Sequence, residues 1–225
     1  MTDTNNTLYL IFDMDGTLID SNPTHREAYT QFFARHGIKI SDDDFTQHIS
    51  GRINTEIMTF FFGQKGKKLT DKQIEELVVE KETLFQQLYS PIIRPIAGLP
   101  GFLMAVKAAG IPMALATSAP LLNVDFVFDK LGIRQFFQHV ITDGDVPKGK
   151  PDPAVFRIAA DRMGADPVRC LVFEDSAKGV EAAQHAGMKV IALKTSHEPE
   201  ATEKADLVID AYTQIKVDQL SGMLT

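Results

Sequence analysis

The sequence predicts an α/β fold, an open parallel sheet sandwiched between helices and interrupted after its first strand by an all-helical insertion. Three observations support this. The run Leu8–Phe12 is short, apolar and rich in aromatics, as expected of a strand buried on both faces. From Leu99 onward, strand and helix patterns alternate, and repeated βα units imply a parallel sheet with helices on its faces. Between them, residues 21–93 carry only helical periodicity, so the first strand must reach the sheet across a helical excursion. The expected division is residues 1–20 and 94–225 for the α/β core and 21–93 for the helical cap.

Composition bounds the reading. A chain of 225 residues with 44% hydrophobic and 24% charged residues suits one substantial globular domain with an insertion. Cys170, the single cysteine, lies in an apolar run and excludes an internal disulfide, which fits a reducing, cytoplasmic setting. The stretch Met1–Asn6 has neither a basic nor an apolar leader pattern, and no run is apolar enough for a membrane span. The expected form is a monomer. A net charge of −7 argues against nucleic acid as a partner. It also means that any anionic ligand needs locally placed Lys or Arg.

The elements follow in order. After Ser21, the residues Tyr29, Phe32, Phe33 and His36 recur at helical spacing, and Gly37 gives a stop. Ser41 with Asp42, Asp43 and Asp44 reads as a helix cap with acids in the first turn. Asn54 is expected to cap a short helix carrying Ile57, Phe60 and Phe61. The basic loop 63–68 lacks the spacing of a phosphate-binding P-loop and reads as a solvated tip. Thr70 and Gln73 form a capping box opening a long helix that ends near Pro91. Then come a helix over 101–110, strand 113–116, helix 121–131 and strand 139–142. Asp152-Pro153 opens a helix closed by Gly164. Strand 170–173, helix 176–186, strand 190–193 and a last strand at 207–209 complete the series.

Chemistry collects where strands stop. The first strand ends at Asp13-Met14-Asp15-Gly16, and alternate residues leaving a strand can share a side, so both carboxylates can face one site. The second ends at Thr117-Ser118, a source of hydroxyl and backbone donors. The strand from Cys170 ends at Glu174-Asp175, and Lys150 sits in the proline-stiffened loop Pro147–Pro153. Singly, each is ordinary turn or cap chemistry. Together, four carboxylates at adjacent strand ends repel one another unless a cation sits among them, and hard oxygen donors favour Mg²⁺. Lys150 would supply a second, fixed positive charge.

The string DMDGTLIDS, with Thr117, the GKPDP loop around Lys150 and the pair Glu174-Asp175 before Ser176, resembles in chain order the signatures of the haloacid dehalogenase superfamily. That resemblance spans most of the chain, from Phe12 to about Gly187, and implies a Rossmann-like, doubly wound core with an inserted α-helical cap. By the same analogy, Asp13 is the nucleophile that forms an aspartyl-phosphate, and Asp15 is the acid/base. Thr117 and Lys150 hold the phosphoryl group, with Ser118 beside them. Mg²⁺ lies among Asp13, the Asp15 backbone carbonyl and Asp175, with Glu174 close by. An acid at position 15 points to phosphate esters and away from the dehalogenases and phosphonate hydrolases.

Cap residues refine the expectation. Lys81 interrupts the stripe of Ile74, Leu77, Val78, Leu84, Phe85 and Leu88, so it either snorkels to solvent or points into the site. Lys81, Arg52 and His25 resemble residues of the β-phosphoglucomutase-like branch, where the cap arginine reads a sugar phosphate. Arg52, Lys81 and Lys150 would together supply the local positive charge that the acidic chain requires. Thr17 and Ser21 stand where the mutases usually carry Val and Thr, which favours a phosphatase of a small phosphorylated metabolite over a phosphosugar mutase. A non-catalytic binding protein on the same fold is the remaining alternative.

Overall fold

A computed structural model describes residues 7–224; the stretch Met1–Asn6, and the expectation made for it, lie outside them. Six parallel strands form one sheet in the order β3-β2-β1-β4-β5-β6. They are β1 (Tyr9–Phe12), β2 (Met113–Ala116), β3 (His139–Ile141), β4 (Cys170–Glu174), β5 (Lys189–Leu193) and β6 (Leu207–Ile209). Because β1 lies between β2 and β4, the strand ends that carry Asp13, Thr117 and Glu174 are neighbours. That adjacency is what the sequence argument required.

Period-two alternation divides the sheet faces by size. Leu10, Phe12, Leu115, Leu171, Phe173 and Leu193 fill one face, where the Phe12 and Phe173 rings stack at 4.7 Å. Ile11, Ala114, Ala116, Val172, Val190 and Ala192 line the other. Small residues there let α7 (Ala154–Met163) and α8 (Ala177–His185) approach closely. The first face is covered in part by α5 (Leu99–Ala108). Helix α6 (Leu121–Leu131) follows β2, and α9 (Pro199–Lys204) and α10 (Val217–Leu220) complete the core.

Between β1 and α5 the described residues form helices only: α1 (Asn22–Arg35), α2 (Asp42–Asp44) running into a π-helical turn Phe45–Ile49, α3 (Asn54–Gln64) and α4 (Asp71–Tyr89). The Thr70 capping box forms as expected, and Ser41 caps α2 as expected, in a capping box completed by Asp44. Several bounds shift by one or two residues from the sequence reading, and two differences have a clear local cause. Helix α5 begins at Leu99, directly after Gly98 at φ 84°, two residues ahead of the expected start. Asn54 is not a cap: Ile53 takes that place, and the Asn54 side chain is instead buried among polar partners. No helix among the described residues is long and apolar enough to cross a membrane.

Candidate active site

The turn after β1 builds the floor of the site. Gly16 adopts φ +75°, and a Cβ there would stand 2.0 Å from Asp175 Oδ2, so only glycine lets the two strand ends meet this closely. Gly179 does the same for the third acid, since a Cβ on it would lie 1.8 Å from Glu174 Oε1. The outcome is a buried cluster in which Asp13, Glu174 and Asp175 each offer a carboxylate oxygen within 4.8 Å of the others.

Lys150 stands inside this cluster, its Nζ 2.7 Å from Asp13 Oδ1 and 2.5 Å from Glu174 Oε1. Burial alone would lower its pKa, but the two carboxylates outweigh that and hold it above the ordinary lysine value. Burial pushes Asp13 up to about 7, with Lys150 opposing and Glu174 and Asp15 adding to the rise. Burial, Glu174 and Asp13 drive Asp175 well above the usual carboxylate range, although Asn22 donates to its Oδ2 at 2.7 Å. Glu174 Oε2 accepts from the backbone N–H groups of Asp175 and Ser176 and from the Ser176 hydroxyl, which fixes the turn.

Asp15 faces a different set of partners. Its Oδ1 accepts from Ser21 Oγ at 2.6 Å and lies 3.1 Å from His25 Nε2. Burial raises its pKa, but His25, Ser21 and Lys81 together outweigh that and hold it below the ordinary value. Two carboxylates two residues apart are thus pushed in opposite directions, the pattern by which one fold separates acid and base roles.

All ten residues singled out from the sequence line one cavity of about 90 Å³. Thr117 Oγ1 accepts from the Ala119 N–H at 3.1 Å, leaving its own hydrogen for a ligand. Ser118 spends its hydrogen on the Gly51 carbonyl at 2.9 Å, tying the strand end to the cap. Arg52 reaches the cavity with only a loose 3.6 Å pair to Glu56, and its buried Nε has no partner. Lys81 does not snorkel: it is 1% exposed, 2.6 Å from Glu82 Oε1, 3.4 Å from His25 Nδ1 and 4.0 Å above the Tyr29 ring.

The expectation about local charge needs correction. Arg52, Lys81 and Lys150 do line the cavity, but so do Asp13, Asp15, Glu82, Glu174 and Asp175, a formal excess of two carboxylates that the raised pKa values of Asp13 and Asp175 relieve by proton uptake. Three side-chain cations do not reverse the sign for an anionic ligand. The three buried carboxylates could hold one divalent cation, which would remove the formal excess, and an oxygen-only donor set would suit Mg²⁺.

Sequence reasoning missed a polar group in the cap wall. Glu82 Oε1 accepts from Asn54 at 2.8 Å, its Oε2 accepts from the core residue Asn123 at 2.7 Å, and the Tyr29 hydroxyl donates to Asn54 at 2.7 Å. The available signal was two charged residues, Lys81 and Glu82, side by side within an apolar helical stripe.

A parallel sheet that ends in paired acids, a hydroxyl and a buried lysine has the groups that phosphoryl transfer uses. The model of the haloacid dehalogenase-like hydrolases matches residues 9–187, and the chain belongs to that family, as a phosphoric monoester hydrolase. A validoxylamine A 7'-phosphate phosphatase of Streptomyces hygroscopicus subsp. limoneus is 30% identical over 206 residues, covering 92% of this chain and 94% of its own. A phosphorylated carbohydrates phosphatase of Thermotoga maritima is 31% identical over 182 residues, 81% of this chain and 82% of its own. Among solved structures, a β-phosphoglucomutase of Clostridium difficile superposes with a TM-score of 0.84 at 25% identity, covering 97% of both chains.

Proposed function

We infer that this protein is a Mg²⁺-dependent phosphatase of a small phosphorylated sugar, working through an aspartyl-phosphate on Asp13. The observation that carries the reading is the convergence of Asp13, Glu174 and Asp175 around Lys150, a crowding of carboxyl groups whose ionised forms a divalent cation would stabilise. Asp13, Asp175 and the Asp15 backbone carbonyl, with Glu174 beside them, would hold Mg²⁺, which supplies charge neutralisation for a phosphate ester. Residues 1–20 and 94–225 would act as the catalytic core and 21–93 as its cap.

In this reading, Asp13 attacks phosphorus while Lys150 and the Thr117 hydroxyl hold the transferring phosphoryl oxygens. Asp15 gives a proton to the leaving oxygen, then takes one from the water that attacks the phosphoenzyme. The doubly bonded, low-pKa state of Asp15 is its base form. Like-charge proximity of a bound phosphate favours the protonated form needed for the first step. Arg52, Lys81 and His25 face the remainder of the substrate from the cap side, and the relatives named for phosphorylated carbohydrates and fructose 1-phosphate support a sugar.

The fold likeness to a β-phosphoglucomutase supports a second reading, a phosphosugar mutase. Thr17 and Ser21 favour hydrolysis, and the Ser21 hydroxyl bonded to Asp15 belongs to the acid/base. A panel of phosphorylated sugars with Mg²⁺, run with and without a bisphosphate primer, separates the two. Release of inorganic phosphate without primer is expected. Primer-dependent isomerisation with no net phosphate release would overturn the phosphatase reading, and metal binding without turnover of any ester would favour a binding protein.

A further inference from the structure

The segment that brings Arg52 to the cavity is gripped by the core through Ser118 and through two residues that do not line the cavity, Lys178 and Glu198. The π-helical turn Phe45–Ile49 ends at Ser50, and Gly51 follows at φ +73°. A helix end leaves carbonyls without helical partners. In this stretch the carbonyls of Thr46, Gln47 and Ser50 each accept a hydrogen bond from Lys178 Nζ, all at 2.9 Å. An ammonium has three hydrogens, so Lys178 spends every one on the cap backbone.

The placement of Lys178 is unusual for its own helix. It lies in the first turn of α8, where the helix dipole disfavours a cation, yet it points at the carbonyl-rich end of the cap turn, which favours one. Two further contacts close the grip. Glu198 Oε1 accepts from Ser50 Oγ and its Oε2 from the Ala177 N–H, both at 2.7 Å. Ser118 donates to the Gly51 carbonyl at 2.9 Å. The space is tight, since a Cβ on Gly51 would stand 3.1 Å from Lys178 Cβ.

We propose that Lys178, braced by Glu198, is a positioning residue that holds the Arg52 segment over the phosphoryl site and so sets how tightly the enzyme grips the part of the substrate beyond its phosphoryl group. This rests on the reading above in which Arg52 faces the substrate, and the free Nε of Arg52 leaves it a donor for an oxygen-rich group. Lys178 acts through Arg52 and touches no reacting atom.

The test compares a hexose monophosphate with acetyl phosphate, which offers nothing for Arg52 to hold. In Lys178→Met, kcat/KM for the hexose phosphate falls at least about tenfold further than for acetyl phosphate, with the difference in KM. Lys178→Arg recovers most of it, and Lys178→Met adds little to Arg52→Ala, because both break one linkage. Hydrogen exchange in the apo protein gives a readout without substrate: amides of residues 45–52 exchange at least about tenfold faster in Lys178→Met, while those of β1 and β4 do not change. Ser50→Ala, which removes one Glu198 contact without altering the core, shifts both readouts the same way and serves if Lys178→Met folds poorly. Equal losses on the two substrates, or full additivity with Arg52→Ala, would overturn the positioning role, and unchanged exchange at 45–52 would overturn the grip itself. A wild-type protein that hydrolyses no phosphate ester refutes the phosphatase reading instead, and exchange alone then decides the grip.

Discussion

Replacing Lys150 with methionine tests the electrostatics of the site most severely. The lysine is 2% exposed and lies 2.7 Å from Asp13 Oδ1 and 2.5 Å from Glu174 Oε1, so Lys150→Met keeps the stem and leaves two buried carboxylates without their cation. Removing one partner of such a buried pair costs about 3–5 kcal/mol. In a chain of this size that lowers the metal-free Tm by about 6–20 °C at pH 7.5. The effect must depend on pH, and its sign is fixed by Asp13. A carboxyl raised from 3.8 to about 7 binds a proton in the folded state that it lacks when unfolded. Stability is therefore gained as pH falls from about 7 towards 4 and withdrawn as pH rises through 7. Without Lys150, Asp13 rises further, so protonation at pH 5 relieves much of the variant's deficit. Differential scanning calorimetry of both proteins in EDTA at pH 5 and 7.5 measures it. A deficit that is equal at the two pH values, or no deficit, would show that Lys150 does not neutralise this cluster.

Other expectations follow from the same geometry. Asp13→Asn abolishes turnover, by at least about 10⁴-fold in kcat, with the circular dichroism spectrum unchanged; activity near wild type would remove Asp13 from the nucleophile's role. Asp15→Asn slows the phosphorylation step about 10²–10⁴-fold for an alkyl phosphate and far less for p-nitrophenyl phosphate, whose leaving group needs no proton, as read in single-turnover kinetics, and equal losses in that step would argue against Asp15 as the acid. Mg²⁺ raises Tm more at pH 8 than at pH 5.5, because the ion displaces a proton from a cluster in which Asp13 titrates near 7; calorimetry with and without metal should show this, and a reversed order would speak against the carboxylate site. Thr17 buries a hydroxyl that has no partner, so Thr17→Val, which keeps the shape, raises stability by about 1–2 kcal/mol in chemical denaturation, and a loss would mean that the hydroxyl is satisfied after all.

The sheet was legible because parallel strands are continuous apolar runs and their ends are punctuated by Asp-Gly, Thr-Ser and Glu-Asp. All strands of a parallel sheet end on one edge, which is why Asp13, Thr117, Glu174 and Asp175 could be assigned to it, whereas the pairing of β4 with β1 and not with β3 is not given by chain order. The cap was harder to read. A lysine in an apolar stripe can turn either way, and the inward turn of Lys81 is met by the adjacent Glu82 and by Tyr29 and His25 of α1, about 50 residues upstream. Asn54 looked like a helix cap because sequence shows its neighbour in the chain and not Glu82, 28 positions away. Lys178 gave a faint signal, a cation in the first turn of a helix, but its three acceptors lie about 130 residues upstream, beyond any local pattern. Local chemistry was readable wherever its partners sit at strand ends; contacts between cap and core were not.

Rapid-quench labelling bears most directly on the central claim, that Asp13 accepts the phosphoryl group inside the carboxylate–lysine cluster. A sugar phosphate carrying ³²P is mixed with enzyme and Mg²⁺, quenched in acid within milliseconds, and the labelled peptide is mapped. The account predicts a hydroxylamine-labile label on Asp13 that decays at the rate of phosphate release. Label on any other residue, or none at any time during turnover, would contradict it.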